Sequence, residues 1–339
     1  MFRHRALIVC LIASCGMLGG FVAATARGQV PSLPPASGLA DTTLPSTDIL
    51  SSRPVAAYFP DHALGKAFDS QTLDMSVRPY PTPYSDDCWQ WQVLPEGLMF
   101  PAYLASGRES RFSSHWVNEQ DQRWLWDIAL GAHVGMLRYG TWDPILPEGW
   151  QVDLEGAAFP RLSLNDARDL ESVDFRFGIP ITFRQGVVEM KFGYYHLSSH
   201  MGDERMVRNA SLARINYARD VMVAAVALRP LKSLRLYAEA GWAFFVKGGS
   251  KPWEFQFGVD YSPVRPTGML GAPFFAINTR IREEVDFGGN MTVQTGLQWR
   301  GETGKLFRAG FHYFNGKSDQ YQFFREHEEQ IGAGLWYDF

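Results

Sequence analysis

Hydrophobic and polar residues alternate along most of the chain after residue 89. The runs in which most alternate positions are apolar cover residues 124–136, 150–154, 173–183, 234–244, 253–259, 291–299 and 331–339. A period of two is typical of β-strands whose two faces meet different environments. The pattern therefore predicts an all-β chain of successive antiparallel strands.

The length of these runs indicates which environment the outer face meets. Strands of a soluble β-sandwich average ~5–6 residues and carry their charges on the outward face. The runs here extend to about 10–15 residues, which matches the ~9–11 residues of a tilted membrane strand with some overhang. Trp and Tyr also gather near the ends of the runs, as in the aromatic girdles of membrane barrels.

Apolar segments after residue 26 are too short for spanning helices. The longest, from Val221 to Leu228, is far below the ~20 residues that such a helix needs. A membrane protein without spanning helices must be a closed barrel, because only that arrangement pairs every backbone group. We therefore predict a transmembrane antiparallel up-and-down β-barrel.

Turn residues divide the chain into eleven predicted strands from Trp124 onward. A twelfth is predicted at residues 97–106, with residues 107–122 as an outer loop, which gives ~12 strands. The connections predicted to be short lie near residues 184–186, 229–232 and 301–302, and the long ones near 161–171, 201–210 and 315–326. Short connections of outer-membrane barrels face the periplasm, so the C-terminus is predicted to be periplasmic.

The N-terminal residues predict export. Arg3 and Arg5 precede an apolar stretch that ends at Ala24-Thr25-Ala26, so residues 1–26 are predicted to be a removable signal peptide. A lipoprotein signal with acylated Cys15 is the alternative. Residues 27–88, rich in Pro, Ser and Thr, are predicted to be a disordered periplasmic linker before a barrel of residues 89–339. The expected location is the outer membrane of a Gram-negative-type bacterium.

Composition excludes several classes of site. The net charge of −4 provides no basic field for nucleic acid. Cys88 is the only cysteine outside the predicted signal peptide, which excludes an intramolecular disulfide or a cysteine-based metal site in the mature chain. The inward faces carry both signs of charge, so we expect a paired network across the lumen rather than a selective conduit.

Candidate chemistry lies on the strand that begins at Val188. Alternation places His196 and Ser198 on the same outward face as Phe192, and a His two residues from a Ser can act as base for its hydroxyl. Asp203 and Glu204 follow, and these carboxylates could orient an imidazole or hold Ca²⁺. The alternative interpretation is that these are rim residues at the entry to a polar loop.

A second histidine group is predicted in an outer loop. Ser113-Ser114-His115 repeats the Ser-Ser-His sequence that ends at His200. With His200, Asp203 and Glu204 it could form a metal site, but a solvated loop histidine is the preferred interpretation.

Several sequence blocks resemble a known family. The blocks are Tyr195-His196-Leu197-Ser198-Ser199-His200-Met201-Gly202-Asp203-Glu204, Arg214-Ile215-Asn216-Tyr217, Phe323-Phe324-Arg325-Glu326 and Phe100-Pro101-Ala102-Tyr103-Leu104-Ala105. Residues 89–339 thereby resemble a bacterial outer-membrane family catalogued as domain of unknown function 1207. The resemblance implies a barrel and no established activity. The strand ending at Phe339 resembles the closing strand that the barrel-assembly machinery recognises in such proteins.

A more distant resemblance is to outer-membrane phospholipase A. That ~12-stranded barrel carries a His-x-Ser pair on its outer wall, helped by an Asn of the next strand and by Ca²⁺. The resemblance implies Ser198 as nucleophile, His196 as base and Asn216 as the third member. Alternation with Ile215 and Tyr217 turns Asn216 into the lumen, so it needs a β-bulge to reach the pair.

Three functions remain open from the sequence. The leading interpretation is a non-catalytic integral barrel that acts as an envelope component or through its surface loops. The first alternative is an acyl hydrolase of phospholipase A or lipid A deacylase type, acting on outer-membrane lipid or lipopolysaccharide. The second is a narrow solute channel.

Overall fold

A computed structural model describes residues 88–120 and 123–339. The predicted signal peptide, Cys15 and residues 27–87 of the predicted linker lie outside the described residues. The strands of the described part are β1 (Gln90–Val93), β2 (Phe112–Glu119), β3 (Trp124–Gly140), β4 (Gly149–Ser163), β5 (Asp169–Gln185), β6 (Val188–Met201), β7 (Ala218–Leu231), β8 (Leu234–Lys247), β9 (Trp253–Tyr261), β10 (Ala272–Arg282), β11 (Gly288–Arg300), β12 (Leu306–Lys317) and β13 (His327–Asp338).

Short helices occupy some of the connections. They are α1 (Asp203–Arg208) and two 3₁₀ turns, Glu283–Val285 and Tyr321–Phe323. None of the described helices is long and apolar enough to cross a membrane.

Strands β2 to β13 form a closed barrel. Each pairs antiparallel with its neighbours in sequence, and β13 pairs with β2 through Ile331↔Asn118 and its neighbours. The extra strand β1 pairs with the last residues of β3, as in Gln90↔Gly140. The predicted fold class is therefore confirmed, as a twelve-stranded up-and-down barrel with one added strand.

The first barrel strand differs from the prediction. The predicted strand at residues 97–106 is wrong, because this segment is irregular and lies inside the barrel. The twelfth strand is β2, which was predicted to be part of an outer loop. His115 therefore belongs to the wall and faces the lumen, where its ring stacks on His312 at 4.5 Å. This placement removes it from the predicted loop metal site.

The two ends of the barrel carry different connections. The end that holds the C-terminus, here called the C-terminal end, has the connections 141–148, 186–187, 232–233, 262–271 and 301–305. The opposite end has the long connections 202–217 and 318–326. The connection between β4 and β5 is shorter than predicted, because both strands extend to leave only residues 164–168. Which end faces the periplasm stays a prediction.

Residues 94–111 fill the lumen from the C-terminal end; we call this segment the first insert. Tyr103 is almost fully buried, stacks on Tyr237 at 4.0 Å and donates a hydrogen bond to Glu239 (2.8 Å). Further along the segment, Arg108 pairs with Asp174 at 3.1 Å. Residues 98–105 of the insert are apolar or aromatic, whereas residues 106–111 are Ser, Gly or charged and pair with polar groups of the lumen.

Residues 318–326 fill the lumen from the opposite end; we call this segment the second insert. Tyr321 and Phe324 are buried in an apolar cluster with Tyr217 and Val221 of the wall. The Tyr321 backbone NH donates to Asp174 (3.2 Å). The two inserts meet, since Arg108 lies 5.6 Å from the centre of the Tyr321 ring. Together they occupy the barrel interior.

The predicted charge network across the lumen is confirmed. Ion pairs join neighbouring strands at Arg161–Asp127 (2.7 Å), Arg176–Glu155 (2.8 Å) and Arg280–Glu254 (3.1 Å). Two further pairs join β6 and β8, which are separated by β7, at Arg235–Glu189 (2.8 Å) and Lys191–Glu239 (2.5 Å). Pairing of this kind is what allows buried charges to be tolerated in a region of low dielectric constant. Arg214 does not belong to this network, since it is exposed in the connection after α1.

Candidate functional site

Strand β6 presents two different faces at the end opposite the C-terminus. Tyr195 and Leu197 are buried toward the lumen, where they join the apolar cluster behind the second insert. His196, Ser198 and His200 alternate with them and therefore point outward, in line with Phe192. The packing of the inner face fixes which side chains the outer face displays.

Asp220 of β7 lies directly opposite His196 in the sheet. Its Oδ1 accepts a hydrogen bond from the Tyr194 hydroxyl (2.7 Å) and lies 2.8 Å from Nδ1 of His196. The side chains of His196 and Asp220 are 42% and 22% exposed, so both are accessible from outside the wall. A register shift between β7 and β8 follows Asp220.

A carboxylate on the lipid-facing side of a membrane strand is costly, and such residues usually have a functional role. Here the cost is reduced because Tyr194 and His196 both bind the carboxylate. With the proton on Nδ1 directed at Asp220, the other ring nitrogen, Nε2, is left as an acceptor. Asp220 therefore orients His196 as a base that faces outward.

Ser198 is on the same face, two residues beyond His196. Side chains at this spacing on one strand start about 6.6 Å apart. An imidazole that leans along the strand can span this gap, but in the described part of the chain no hydrogen bond joins Ser198 to the ring. Proton transfer between Ser198 and His196 therefore requires the ring to move closer to the Ser198 hydroxyl.

The surroundings of the pair are apolar. Phe177 of β5 is paired with His196 and Phe175 with Ser198, and both rings are largely exposed on the outer wall. The ring of His200 lies 5.8 Å from that of Phe175. The candidate site thus lies within a surface suited to lipid chains.

Residues 84–339 match the protein family described as protein of unknown function, DUF1207. The chain belongs to this family. No curated protein matches the sequence.

Solved structures with a similar fold are outer-membrane β-barrels. Outer membrane phospholipase A from Escherichia coli is 8% identical over 77% of this chain and 94% of its own, with a TM-score of 0.45. The Salmonella typhi outer membrane phospholipase dimer with bound calcium is 9% identical over 70% and 91%, with a TM-score of 0.46. A KdgM porin is 8% identical over 67% and 98%, with a TM-score of 0.35. At these values the similarity carries no argument about the function of this DUF1207 member.

Contrary to the prediction from the sequence, Asn216 does not face the lumen, and no hydrogen bond among the described residues joins its side chain to His196 or Ser198. It precedes β7 and is exposed, whereas its neighbour Tyr217 is buried toward the lumen. The predicted faces were reversed because the following run, Val221 to Leu228, is apolar at every position and gives no information on orientation. The structure places Asp220 beside His196 instead.

The sequence contains a signal that could have identified Asp220. Arg219 and Asp220 are adjacent charged residues in a predicted strand, so alternation requires that one of them faces outward. Arg219 is fully buried and pairs with Glu254 at 3.2 Å, which leaves Asp220 on the outer wall.

The carboxylates predicted to hold Ca²⁺ lie near this site but not in it. Asp203 and Glu204 occupy the exposed first turn of α1. Throughout the described residues, no group of three or more His, Cys, Asp or Glu side chains could hold a metal. Since Ca²⁺ takes 6–8 oxygen ligands, these two carboxylates do not form its site by themselves.

Proposed function

We propose that this chain is a non-conducting outer-membrane barrel that hydrolyses acyl esters of membrane lipids at its outer wall. The observation that carries the proposal is the contact between Asp220 and His196 on a lipid-facing surface, two residues from Ser198. A barrel with a purely structural role gains nothing from a carboxylate placed there.

The proposed reaction proceeds in two steps. Oγ of Ser198 attacks the ester carbonyl while Nε2 of His196 takes its proton, and that proton then passes to the departing alcohol. Water next attacks the acyl-serine with His196 again as base, which releases the fatty acid and restores the hydroxyl. Asp220 stabilises the imidazolium that forms in each step, as the carboxylate does in other serine hydrolases.

The substrate class follows from the position of the site. Phe175 and Phe177 flank Ser198 on the outer wall, so the site faces the acyl chains and ester groups of neighbouring lipids. Phospholipid and lipopolysaccharide both present such esters, and the site geometry does not favour one of them.

The test is release of fatty acid from phospholipid or lipopolysaccharide by purified protein, with Ca²⁺ present and absent. Ser198→Ala and His196→Gln are expected to reduce release to background. His200→Gln, on the same strand face but one step further from Asp220, is the matched control and should keep activity. Equal release by wild type and Ser198→Ala would exclude the hydrolase and favour the non-catalytic envelope role.

The channel alternative is disfavoured by the filled lumen. Tyr103 of the first insert and Tyr321 of the second are both almost fully buried inside the barrel. The proposal also includes an outer-membrane location with a periplasmic C-terminus. It includes recognition of the strand ending at Phe339 by the barrel-assembly machinery.

A further inference from the structure

A cleft of about 360 Å³ lies at the end of the barrel opposite the C-terminus. It is bounded by the connection between β6 and β7 on one side and by the second insert on the other. Its apolar lining comes from Met201, Met206, Ile215 and Phe323. This volume is within the range of small-molecule sites, at its lower end.

The base of the cleft is held by hydrogen bonds between its two sides. Gln322 of the second insert accepts from the backbone NH of Ile215 (3.0 Å) and donates to the carbonyl of the same residue (2.7 Å). Gln322 also donates to Ser199 of β6 (3.2 Å). The cleft is therefore preformed.

The charged side chains that line this cleft are not all paired. Arg205 is already occupied, because it pairs with Glu171 and lies 4.5 Å from the centre of the Phe323 ring. Arg214 and Glu326 also line the cleft, and within the described residues neither side chain makes an ion pair or hydrogen bond. Among the described residues, the cleft thus offers one cation and one anion without an ion-pair partner, beside an apolar surface.

We propose that this cleft binds a small zwitterion with an apolar side chain, of the α-amino acid class. The ligand carboxylate is held by the guanidinium of Arg214, whose fork of donors suits a bidentate contact. The ligand ammonium is held by Glu326, and the side chain packs on the two methionines and Phe323. The inference does not depend on the hydrolase proposal.

The test is isothermal titration calorimetry of the full chain in detergent with L-leucine, L-methionine and L-phenylalanine. At least one is expected to bind saturably. Its N-acetyl and methyl-ester forms should each bind about tenfold more weakly, because each loses one charge-assisted contact.

Variants assign the two contacts. Glu326→Gln should weaken binding of the free amino acid about tenfold but leave binding of the N-acetyl form unchanged. Arg214→Gln should weaken binding of the free amino acid about tenfold but leave binding of the methyl ester unchanged. Lys251→Gln, an exposed lysine of the neighbouring β8–β9 connection, is the control. All three substituted residues are exposed, and a heat-modifiable gel shift checks that each variant is folded. No saturable binding of any of the three amino acids up to about 10 mM would overturn the proposal, and so would equal binding by the Arg214→Gln/Glu326→Gln double variant.

Discussion

At the scale of single residues, Arg219 and Asp220 show how adjacent residues of one strand face the lumen and the outer wall. Arg219 lies in the lumen, where Glu254 neutralises it. Asp220 lies on the outer wall, where its partners among the described residues are Tyr194 and His196, which offset the cost of its charge. The first residue is explained by the stability of the barrel, whereas the proposed hydrolase offers an explanation for the second.

Asp220→Asn tests this distinction. Loss of the carboxylate removes the group that orients His196, so fatty-acid release should fall by about 10²–10⁴-fold. The free energy of unfolding from lipid vesicles should stay constant or rise, because a charge leaves the lipid-facing wall. Glu302→Gln, an exposed carboxylate at the C-terminal end, is the control for charge removal. A large loss of stability with unchanged release would show that Asp220 is structural.

Arg108 provides the converse case inside the lumen. Arg108→Met leaves Asp174 buried without its cation, which should lower the free energy of unfolding by about 3–5 kcal/mol. Urea titration in vesicles measures this change. The double variant Arg108→Met/Asp174→Leu should recover part of the loss, and a double variant less stable than Arg108→Met would contradict the assigned pairing.

At the scale of elements, the second insert is held in the barrel by polar contacts as well as by its buried aromatic rings. Asp319 pairs with Arg280 at 3.1 Å and accepts a hydrogen bond from Asn290 at 2.8 Å. Burial raises the pKa of Asp319, but the charges of Arg280, Arg108 and Arg282 outweigh burial and hold that pKa below its usual value.

A lowered pKa has a definite consequence for stability against pH. Ionised Asp319 stabilises the folded barrel above its ordinary pKa of about 4, and this stabilisation is lost as the pH falls through the lowered value. The unfolding free energy should therefore fall less between pH 7 and pH 3 in Asp319→Asn than in wild type. Asp286→Asn, in an exposed turn, serves as the control. An identical pH dependence in wild type and Asp319→Asn would be evidence against this role.

At the scale of the whole molecule, the barrel is a filled cylinder. Planar-bilayer recordings should show no conductance for the wild type. Replacing residues 98–109 by Gly and Ser at equal length should leave the path blocked by the second insert. Replacing residues 319–325 in addition should produce discrete openings, because both halves of the lumen are then emptied. The same replacement at residues 204–213, outside the lumen, is the control, and stable wild-type openings would contradict the filled lumen.

The alternation of apolar and polar residues was sufficient to predict the closed barrel, eleven of its twelve strands and its paired lumen charges. It failed where the environment is the same on every side. Residues 97–106 are apolar because the lumen surrounds them, so they were mistaken for a wall strand. The sequence did not show that the interior segment comes first and the wall strand β2 second, because nothing in the local sequence distinguishes an interior segment from a membrane strand.

The candidate site was predicted in part. His196 and Ser198 follow from alternation along a strand with a clear pattern. Their partner does not, because the start of β7 follows a connection of irregular backbone that erases the phase of the alternation. The adjacent charges of Arg219 and Asp220 restrict the outward residue to one of the two, and the register His196↔Asp220 then identifies Asp220 as the partner of His196.

The two inserts enter from different ends. Both termini of the first insert are at the C-terminal end, where Leu94 bonds to Met136 and Arg111 pairs with Asp338, whereas the second insert hangs from the opposite end. Each can therefore withdraw without opening the wall. A tube closed separately at both ends leaks only when both inserts are out together. For independent inserts the open fraction is the product of two small fractions, and the contact between Arg108 and Tyr321 raises it above that product. Release of either insert alone therefore leaves the lumen blocked by the other.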